Sequence, residues 1–507
     1  MSASSLVLLP RDPRLGLLSV CLAALALPLS FSAGAVAVPA LANQLHGGPV
    51  ALAWVTNAFM LTFGSLLLAA GGLADRFGRR RLFLGGSGAF VLATLAVCLA
   101  PDLLWLDLAR GAQGVAAAAA LAAGSAALAQ GFDGHARIRV FALLGTVFGA
   151  GLALGPLLAG LLLQALGWRS VFAGGGALAL AALLLGWRHL DESRGQHARL
   201  DVAGMLCFSL MLAALTVALL LSAEHGMGTA WVRCAFCAAG LLLLAFVQIE
   251  RRQRQPLLDL SLFTQRDFVG VQLLPVATCL GYVVLLVILP LHLLGVQRQS
   301  PAQVGVQMFA LSAPMLVLPL LAAGWAQRVG AARLCASGLL VCASGLYALS
   351  QRVLHAPPTQ WWPALLLIGA GTALPWGLMD GLSVSVVPVQ RAGMAAGIFG
   401  TVRVAGEGIA LAAVTAVLAM LVTHRLAVTS GLPTASLTGT GAYLATGALA
   451  QAAAGVPDLS MALLRQASSE ALAGLLRGLC GLTVGSAVLV QALLGRAPPP
   501  ARVRADS

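Results

Sequence analysis

The chain has 507 residues, of which 59% are hydrophobic and only 9% are charged. Soluble domains carry about a quarter charged residues, so this composition excludes an ordinary soluble protein. The net charge of +13 does not indicate nucleic-acid binding, because most arginines fall in alternate loops between apolar runs. The sequence contains no lysine. Because a P-loop requires its lysine, the chain cannot itself be a P-loop ATPase, and uphill transport must draw on an ion gradient or a partner.

The apolar runs are long and continuous, which predicts membrane-spanning helices rather than barrel strands. The first apolar run follows Arg11 and Arg14 and extends to about Pro39. It is too long for a cleaved signal peptide and is predicted to be a first transmembrane span that is not cleaved. The predicted spans are 15–38, 51–71, 82–100, 103–129, 138–163, 170–187, 203–221, 231–249, 268–292, 304–325, 334–350, 362–387, 393–421 and 471–494.

The predicted domains are an N-terminal six-helix bundle over 1–187, two additional spans within 188–267, and a C-terminal six-helix bundle over 268–507. Residues 424–470 are broken by Gly, Pro and Thr and are expected to form one long external loop with some helix. The nine cysteines lie mostly inside apolar runs. They indicate packing residues and no disulfide framework.

The distribution of arginine predicts the orientation of the chain in the membrane. Arginine is abundant in alternate loops, as at 76–81 and 251–254, and sparse in the opposite ones. The positive-inside rule therefore places both termini in the cytoplasm, with an even number of spans.

Two segments of the sequence resemble each other. The run GLADRFGRRR over 72–81 can be laid over GWAQRVGAAR at 324–333, and five positions are identical. Each segment leaves a span and enters a short turn. Such an echo is expected of a transporter built from two like halves, with its substrate site between them at mid-membrane.

The run GGLADRFGRRR over 71–81 resembles the signature loop of the major facilitator superfamily. Four further motifs resemble the fourteen-span drug:proton antiporter branch of that superfamily. They are PALA at 39–42 with WVTNAF at 54–59, RGAQG at 110–114, GLALGPLLAG at 151–160 and GMAAGIFGTVRVAG at 393–406. The resemblance implies an all-α membrane protein with the major facilitator fold, in which two six-helix bundles and two extra central spans make 14 transmembrane helices.

The resemblance also assigns roles to these motifs. The signature loop would act as a conformational latch through Gly71, Asp75, Arg76, Gly78, Arg79 and Arg80. Gly78 would permit the tight reversal, and Asp75 would cap a helix or pair with a nearby base. The fifth span would form a bendable, sealed contact between the halves through Gly151, Gly155, Pro156 and Gly160, and small residues with a helix-bending proline suit that task.

Charged residues inside the predicted spans indicate functional positions more specifically than these motifs do. An ionised side chain at the bilayer centre costs about 2.5–3.5 kcal/mol on insertion scales, so a charge that persists there is a functional candidate. The proton and coupling candidates are Arg110, Asp107, Asp380, Glu407 and Arg403. The pairs Asp107–Arg110 and Arg403–Glu407 share helix faces, so structural ion pairs remain the alternative for each. Asp380 lies near the cytoplasmic end of its predicted span, so a charge at the rim of the membrane is its alternative.

The chain departs from the family pattern in its first span. Relatives of this branch usually carry Asp and Asn where this sequence has Ser30 and Ala35, and a small residue where it has Glu407. Coupling is then expected to rest on Asp380 or Glu407, and a different substrate charge preference and a loss of efflux activity are the alternatives. The candidates for lining the substrate cavity, each of which could equally be a packing residue, are Phe31, Asn57, Gln113, Phe148, Tyr282, Trp376 and Met379.

These features predict a secondary active transporter, specifically a proton-coupled exporter of lipophilic or cationic small molecules that works by alternating access. A permease that exports or imports one metabolite is the alternative, and a non-transporting membrane receptor is the third hypothesis.

No enzyme motif, metal-binding set or cofactor signature is present in the sequence, so no enzymatic activity and no cofactor are expected. The expected partners are the substrate, protons and lipid, with no nucleic acid and with a periplasmic adaptor left open. We expect a monomer in the bacterial cytoplasmic membrane.

Overall fold

Capping residues set where several of the long helices begin. The side chains of Asp12, Asp102 and Asp201 each accept a hydrogen bond from the backbone of the first helical turn that follows. Ser300 and Gln303 form a capping box, and Ser460 caps the last helix. Such caps satisfy backbone donors that would otherwise lack partners at the start of a helix.

The structure is a computed structural model, and it describes residues 12–45, 47–132, 134–194, 201–226, 228–253, 258, 260–387 and 392–495. Within these residues, 14 helical stretches are long and apolar enough to cross a bilayer, so the predicted number is confirmed. The arginines at 11, 199, 254, 391, 496, 502 and 504, which contribute to the predicted orientation, lie outside the described residues.

The first six spans pack into one bundle. They are α1 (Pro13–Gln44), α2 (Pro49–Phe77), α3 (Arg79–Cys98), α4 (Leu103–Gly131), α5 (Gly134–Leu166) and α6 (Trp168–His189). Helix α1 packs on α5 and α6, and α4 packs on α2 and α3. The predicted boundary near residue 188 falls at the end of α6.

Two extra spans follow, α7 (Val202–His225) and α8 (Ala230–Arg252). Helix α7 packs on α2 of the first bundle and on α15 (Ala392–Ser430) of the second. The Ser209 hydroxyl on α7 also donates to the carbonyl of Ser65 on α2, at 3.4 Å. The extra pair therefore covers one side of the junction between the halves.

The remaining helices form the second bundle. They are α9 (Arg266–Thr278), α10 (Leu285–Pro290), α11 (Pro301–Ser312), α12 (Pro314–Val329), α13 (Ala331–His355), α14 (Trp362–Ser385), α15, α16 (Thr434–Ala445), α17 (Leu449–Gly455) and α18 (Met461–Leu494). The span Arg266–Val296 contains α9 and α10, which are joined and extended by two π-helical stretches, Cys279–Val283 and Leu291–Val296. The sequence pattern does not predict these π-helical stretches, which contain Tyr282 and His292.

The expected long loop at 424–470 is wrong in its bounds. Helix α15 continues to Ser430 and α18 begins at Met461, and two short helices fill most of the interval. Small residues make this possible: Gly441 of α16 leaves room for the Thr423 hydroxyl of α15. Helix α16 therefore packs on the bundle, and Gln451 donates to the carbonyl of Ala42 on α1 at 2.7 Å.

The two similar segments, 72–81 and 324–333, each contain a turn, and the two turns have the same backbone geometry. Gly78 between α2 and α3 has φ 109° and ψ 130°, and Gly330 between α12 and α13 has φ 88° and ψ 140°. Their amides donate to Ala74 and Ala326, which occupy equivalent positions in the repeat. We call the end of the molecule that holds these turns the signature-loop end and the opposite end the seam end.

Replacing either turn glycine by alanine is expected to destabilise the protein. A side chain in this positive-φ region costs about 1–3 kcal/mol. The loss should be larger for Gly78→Ala than for Gly330→Ala, because the added Cβ at Gly78 would lie 2.6 Å from a carboxylate oxygen of Glu192. Thermal melting in detergent measures both variants. Gly85→Ala is the control, since that helical glycine faces open space, and equal melting temperatures for all three variants would contradict the assignment.

Candidate functional site

The signature loop is held by charged contacts within the first bundle. Asp75 forms an ion pair with Arg79 at 2.9 Å, and Arg79 also reaches Gln130 at the end of α4. Arg80 donates to the carbonyl of Trp187 in α6. The predicted pairing of Asp75 with a nearby base is therefore present. The loop therefore joins the ends of α2, α3, α4 and α6.

Glu192 completes this loop and was missed by the sequence analysis. Its carboxylate accepts from the Arg80 amide at 3.3 Å and lies 3.5 Å from Arg81. Glu192 lies far from the loop in sequence, and no motif around it indicates a role in the loop.

Arg76 and Gly71 take no part in these contacts of the loop. The Arg76 guanidinium lies 5.5 Å from the ring centre of Phe77, and Gly71 faces open space.

Arg110 is fully buried inside the first bundle. Its Nε donates to the carbonyl of Val55 at 2.8 Å, and its Nη1 donates to Gln113. The guanidinium also lies 4.5 Å from the ring centre of Phe59 and 5.5 Å from that of Phe172. These contacts distribute the charge over a carbonyl, an amide and two aromatic faces, which is how a buried cation is stabilised without a carboxylate.

The neighbours of Arg110 complete a polar cluster. Gln113 donates to the Thr94 hydroxyl at 2.7 Å, so this cavity candidate serves the Arg110 cluster instead. Asp107 lies near enough to Arg110 for their charges to interact, but the buried Asp107 Oδ1 has no hydrogen-bond partner among the described residues. The Nη2 of Arg110 is likewise without a partner and would lie 3.3 Å from a Cβ on Gly34.

The Gly-Pro motif of α5 contacts both halves. A Cβ on Gly151 or Gly155 would meet α1, at 3.0 Å from the carbonyl of Leu25 and 2.5 Å from the Ser32 hydroxyl respectively. Gly160 instead abuts the carbonyl of Pro301 on α11. A Cβ on Gly305 would lie 3.3 Å from the carbonyl of Pro156.

The two bundles are therefore in backbone contact at the seam end, through α5 and α11. The Ala302 amide adds a hydrogen bond to Gln164 across this contact, at 3.1 Å. A small cavity lies at the same end of the molecule, between residues of both bundles, and is lined by Asn57, Thr56, Thr415 and Thr446 together with apolar residues. We call it the seam cavity, and Asn57 forms part of its wall.

Farther from the seam, charged and aromatic side chains of both halves meet. Arg403 of α15 pairs with Asp380 of α14 at 3.2 Å, and its guanidinium lies 5.4 Å from the ring centre of Phe148 on α5. Trp376, one turn from Asp380, packs edge-on against Tyr282 with ring centres 6.4 Å apart. The Tyr282 hydroxyl donates to Ser312 at 2.8 Å. We call Phe148, Tyr282, Trp376, Asp380 and Arg403 the central cluster.

Asp380 is the exposed member of the central cluster. Its side chain is 55% exposed, although it lies within a helix long enough to span a membrane. Across from it, a Cβ on Gly145 of α5 would be in ordinary van der Waals contact with the Asp380 carboxylate, at 4.0 Å. The halves therefore contact through backbone atoms at the seam and come within side-chain contact near Asp380, which lies close to the end of α14 at the signature-loop end.

Glu407 lies deeper, one helical turn from Arg403, and is buried. Arg403 pairs with Asp380, and no described residue forms an ion pair or hydrogen bond with the Glu407 carboxylate. The alternative of an Arg403–Glu407 ion pair is thus wrong for this conformation. The remaining cavity candidates, Phe31 and Met379, are almost fully buried in the apolar core.

The family model of the Major Facilitator Superfamily matches residues 20–411. The chain belongs to the major facilitator superfamily. As a major facilitator it is a multi-pass membrane protein of a transporter family, and its 14 candidate spans agree with the fourteen-span branch.

Two relatives of this major facilitator are named as resistance proteins. The chain is 33% identical over 439 residues to the puromycin resistance protein pur8 of Streptomyces alboniger, covering 85% of this chain and 87% of that protein. It is 30% identical over 387 residues to the multidrug resistance protein Stp of Mycobacterium tuberculosis (strain CDC 1551 / Oshkosh), covering 76% of this chain and 72% of that protein.

A solved structure shares the fold of this major facilitator. It is a bacterial homolog of the human lysosomal transporter Spinster in an inward-facing and unoccupied conformation, with a TM-score of 0.64 and 14% identity. The likeness covers 96% of this chain and 98% of that one. At this identity the comparison supports the fold alone.

Proposed function

We propose that this chain is a proton-coupled exporter of lipophilic or cationic small molecules in the bacterial cytoplasmic membrane. The observation that carries the proposal is the central cluster, where a half-exposed carboxylate lies among aromatic rings at the junction of the two halves. Aromatic faces and a carboxylate are the groups that bind a lipophilic cation. The names of the relatives, which refer to drug resistance, support export.

The orientation follows from the arginine distribution. With the signature-loop end in the cytoplasm, as the positive-inside rule requires, both termini are cytoplasmic and Asp380 lies near the inner side. The closed α5–α11 contact then seals the outer side. Alternating access would open this seam and close the other end, with the signature loop holding one of the two states. The exporter works as a monomer in this proposal.

The charges of the cluster supply a coupling scheme. Asp380 and Arg403 cancel, so the protonation state of Glu407 decides whether this part of the second bundle is neutral or negative. Ionised Glu407 attracts a cationic substrate, and a proton arriving from outside neutralises Glu407 and releases that substrate. An ionised carboxyl at this depth is costly without a compensating cation, which couples the two events.

Transport by everted membrane vesicles with an imposed pH gradient tests this function. Vesicles that are acidic inside should accumulate ethidium several-fold over vesicles lacking the protein, because protons leave as the dye enters. Nigericin, which collapses the gradient, should release the dye. Ethidium uptake that does not depend on the pH gradient would contradict proton coupling. An absence of uptake for every lipophilic cation tested would contradict the proposed substrate class.

Export of one specific metabolite is the second candidate. It is favoured by the name of pur8, which refers to a single antibiotic, whereas the name of Stp refers to many drugs. The same vesicles distinguish the two candidates. Competition of ethidium uptake by many unrelated cations supports the broad exporter, and competition by a single compound class supports the metabolite exporter.

A further inference from the structure

Gln272 of α9 is a buried polar side chain without a partner. Its residue is only 6% exposed, and neither its Oε1 nor its Nε2 has a hydrogen-bond partner among the described residues. It lies in an apolar span where no lipid group can replace the missing partners. Burying an amide in this way is unfavourable unless something else binds it. The protein therefore carries an unused donor and an unused acceptor at this point.

The helix faces place Gln272 against α15. Phe268, one turn nearer the signature-loop end, belongs to a packed cluster with Ala395 and Ile398 of α15. Val276, one turn in the other direction, lies 4.0 Å from a Cβ on Gly406. Residues four apart share a helix face, so Gln272 faces α15 between these two contacts.

Arg403 belongs to this same stretch of α15 and also has an unused donor. Its Nη1 binds Asp380, while its Nε is buried without a partner. Gln272 and Arg403 thus leave polar atoms unsatisfied along the packing of α9 on α15, and Arg403 belongs to the central cluster. Two such groups at the edge of a binding cluster indicate a subsite for a polar part of the ligand.

We propose that Gln272 is a specificity-determining residue whose amide hydrogen-bonds the transported substrate. This inference rests on the proposed function, since it takes the central cluster as the place where the cation binds. It narrows the substrate class to lipophilic cations that carry an amine, hydroxyl or carbonyl group. A site with a buried hydrogen-bonding group discriminates strongly against ligands that leave this group unpaired, whereas an apolar wall discriminates weakly.

The variant Gln272→Leu tests the proposal with two probes. Ethidium carries two aromatic amines, and tetraphenylphosphonium carries no hydrogen-bonding group. We expect Gln272→Leu to weaken ethidium binding by about 5- to 100-fold, the range for loss of a buried hydrogen bond. Binding of tetraphenylphosphonium should stay unchanged or become tighter. Equilibrium binding to the full chain in lipid nanodiscs measures both affinities.

A stability measurement separates this role from a structural one. If Gln272 only supported the fold, leucine would lower the melting temperature and weaken both probes together. If Gln272 serves the ligand, leucine removes an unsatisfied amide, so the ligand-free protein should melt at the same or a higher temperature. The matched control is Gln466→Leu. Gln466 is exposed on α18 and binds Glu470, and its replacement should leave both affinities unchanged.

The outcomes keep the two proposals apart. Selective loss of ethidium binding supports the role of Gln272, whether or not transport proves to be driven by protons. Equal affinities of wild type and Gln272→Leu for ethidium, or a parallel loss of both probes, overturns that role while leaving export intact if vesicle uptake persists. If the wild type binds neither probe, both the subsite and the cation exporter are overturned.

Discussion

Glu407→Gln is expected to abolish proton-driven accumulation of substrate and to weaken binding of the cation. Glutamine has the size of glutamic acid and imitates its protonated form, so the variant cannot release or take up a proton and stays in the form from which the substrate dissociates. The effect should be complete because the Glu407 carboxylate is buried and forms no ion pair or hydrogen bond with a described residue. Uptake should fall to that of vesicles without the protein, and counterflow of labelled ethidium should be lost with it.

A matched control for this variant is Glu470→Gln. Glu470 lies near the start of α18 and interacts with Arg425 at 3.8 Å and with Gln466 at 3.0 Å. Its neutralisation removes one carboxylate from the same bundle without touching the central cluster, so transport should remain at the wild-type level. Proton-driven uptake by Glu407→Gln at that level would show that coupling rests elsewhere.

Asp380 should behave differently from Glu407. Its replacement by asparagine leaves the positive charge of Arg403 unbalanced, so it should weaken cation binding rather than uncouple transport. The expected loss is about two- to tenfold, because more than half of the Asp380 side chain is exposed and solvent screens the charge. Proton-driven uptake should be retained with a partial binding defect here and lost completely at Glu407. This contrast separates the two carboxylates that the sequence leaves as equal candidates.

The number of spans could be predicted because hydrophobic length alone decides it. A run of about 20 apolar residues crosses the bilayer whatever its neighbours are. The same reasoning fails for 424–470, where Thr and Gly interrupt the apolar pattern. There the small residues permit close packing of α16 on α15, as the Gly441–Thr423 contact shows, and packing rather than hydropathy forms the helix.

The central cluster could be predicted in part. Arg403, Asp380 and Phe148 each stand out as charged or aromatic residues in apolar spans, but their pairing depends on how α5, α14 and α15 approach one another. Helical spacing indicated Glu407 as the partner of Arg403, yet the guanidinium binds Asp380, which lies 23 positions away in the chain. Gln272 is not predicted from the sequence, because a single neutral glutamine in an apolar span does not stand out as a charged or aromatic residue does. Only its lack of partners in the structure distinguishes it.

The first span explains part of the departure from the family pattern. Ser30, where relatives usually have Asp, is fully buried, and its hydroxyl would lie 2.6 Å from a Cβ on Gly175 of α6. This position belongs to the packing inside the first bundle. Arg110 of that bundle retains an Nη2 without a hydrogen-bond partner among the described residues. Carboxylates near the junction of the halves are instead supplied by α14 and α15, which is consistent with our proposal that coupling rests there.

Gly160→Leu is expected to eliminate transport by preventing closure of the seam. A side chain at this position would clash with the carbonyl of Pro301 and lie 3.2 Å from the Cα of Gly305, both of which are backbone atoms that cannot rotate away. The two bundles would be forced apart at this end. The protein should then remain open at the seam, and no cycle of alternating access could be completed.

Labelling shows whether the seam has opened. Thr446 is 3% exposed and lines the seam cavity, so a cysteine placed there should react with a membrane-impermeant maleimide only when the seam is open. We expect fast labelling of Thr446→Cys in the Gly160→Leu background and slow labelling without it. Gly474→Leu on α18 is the matched control, because that glycine faces open space and leucine there should be accepted by lipid. Normal transport by Gly160→Leu would mean that the α5–α11 contact is not required for the cycle, because backbone contact at Gly160 is what closes the seam in this conformation.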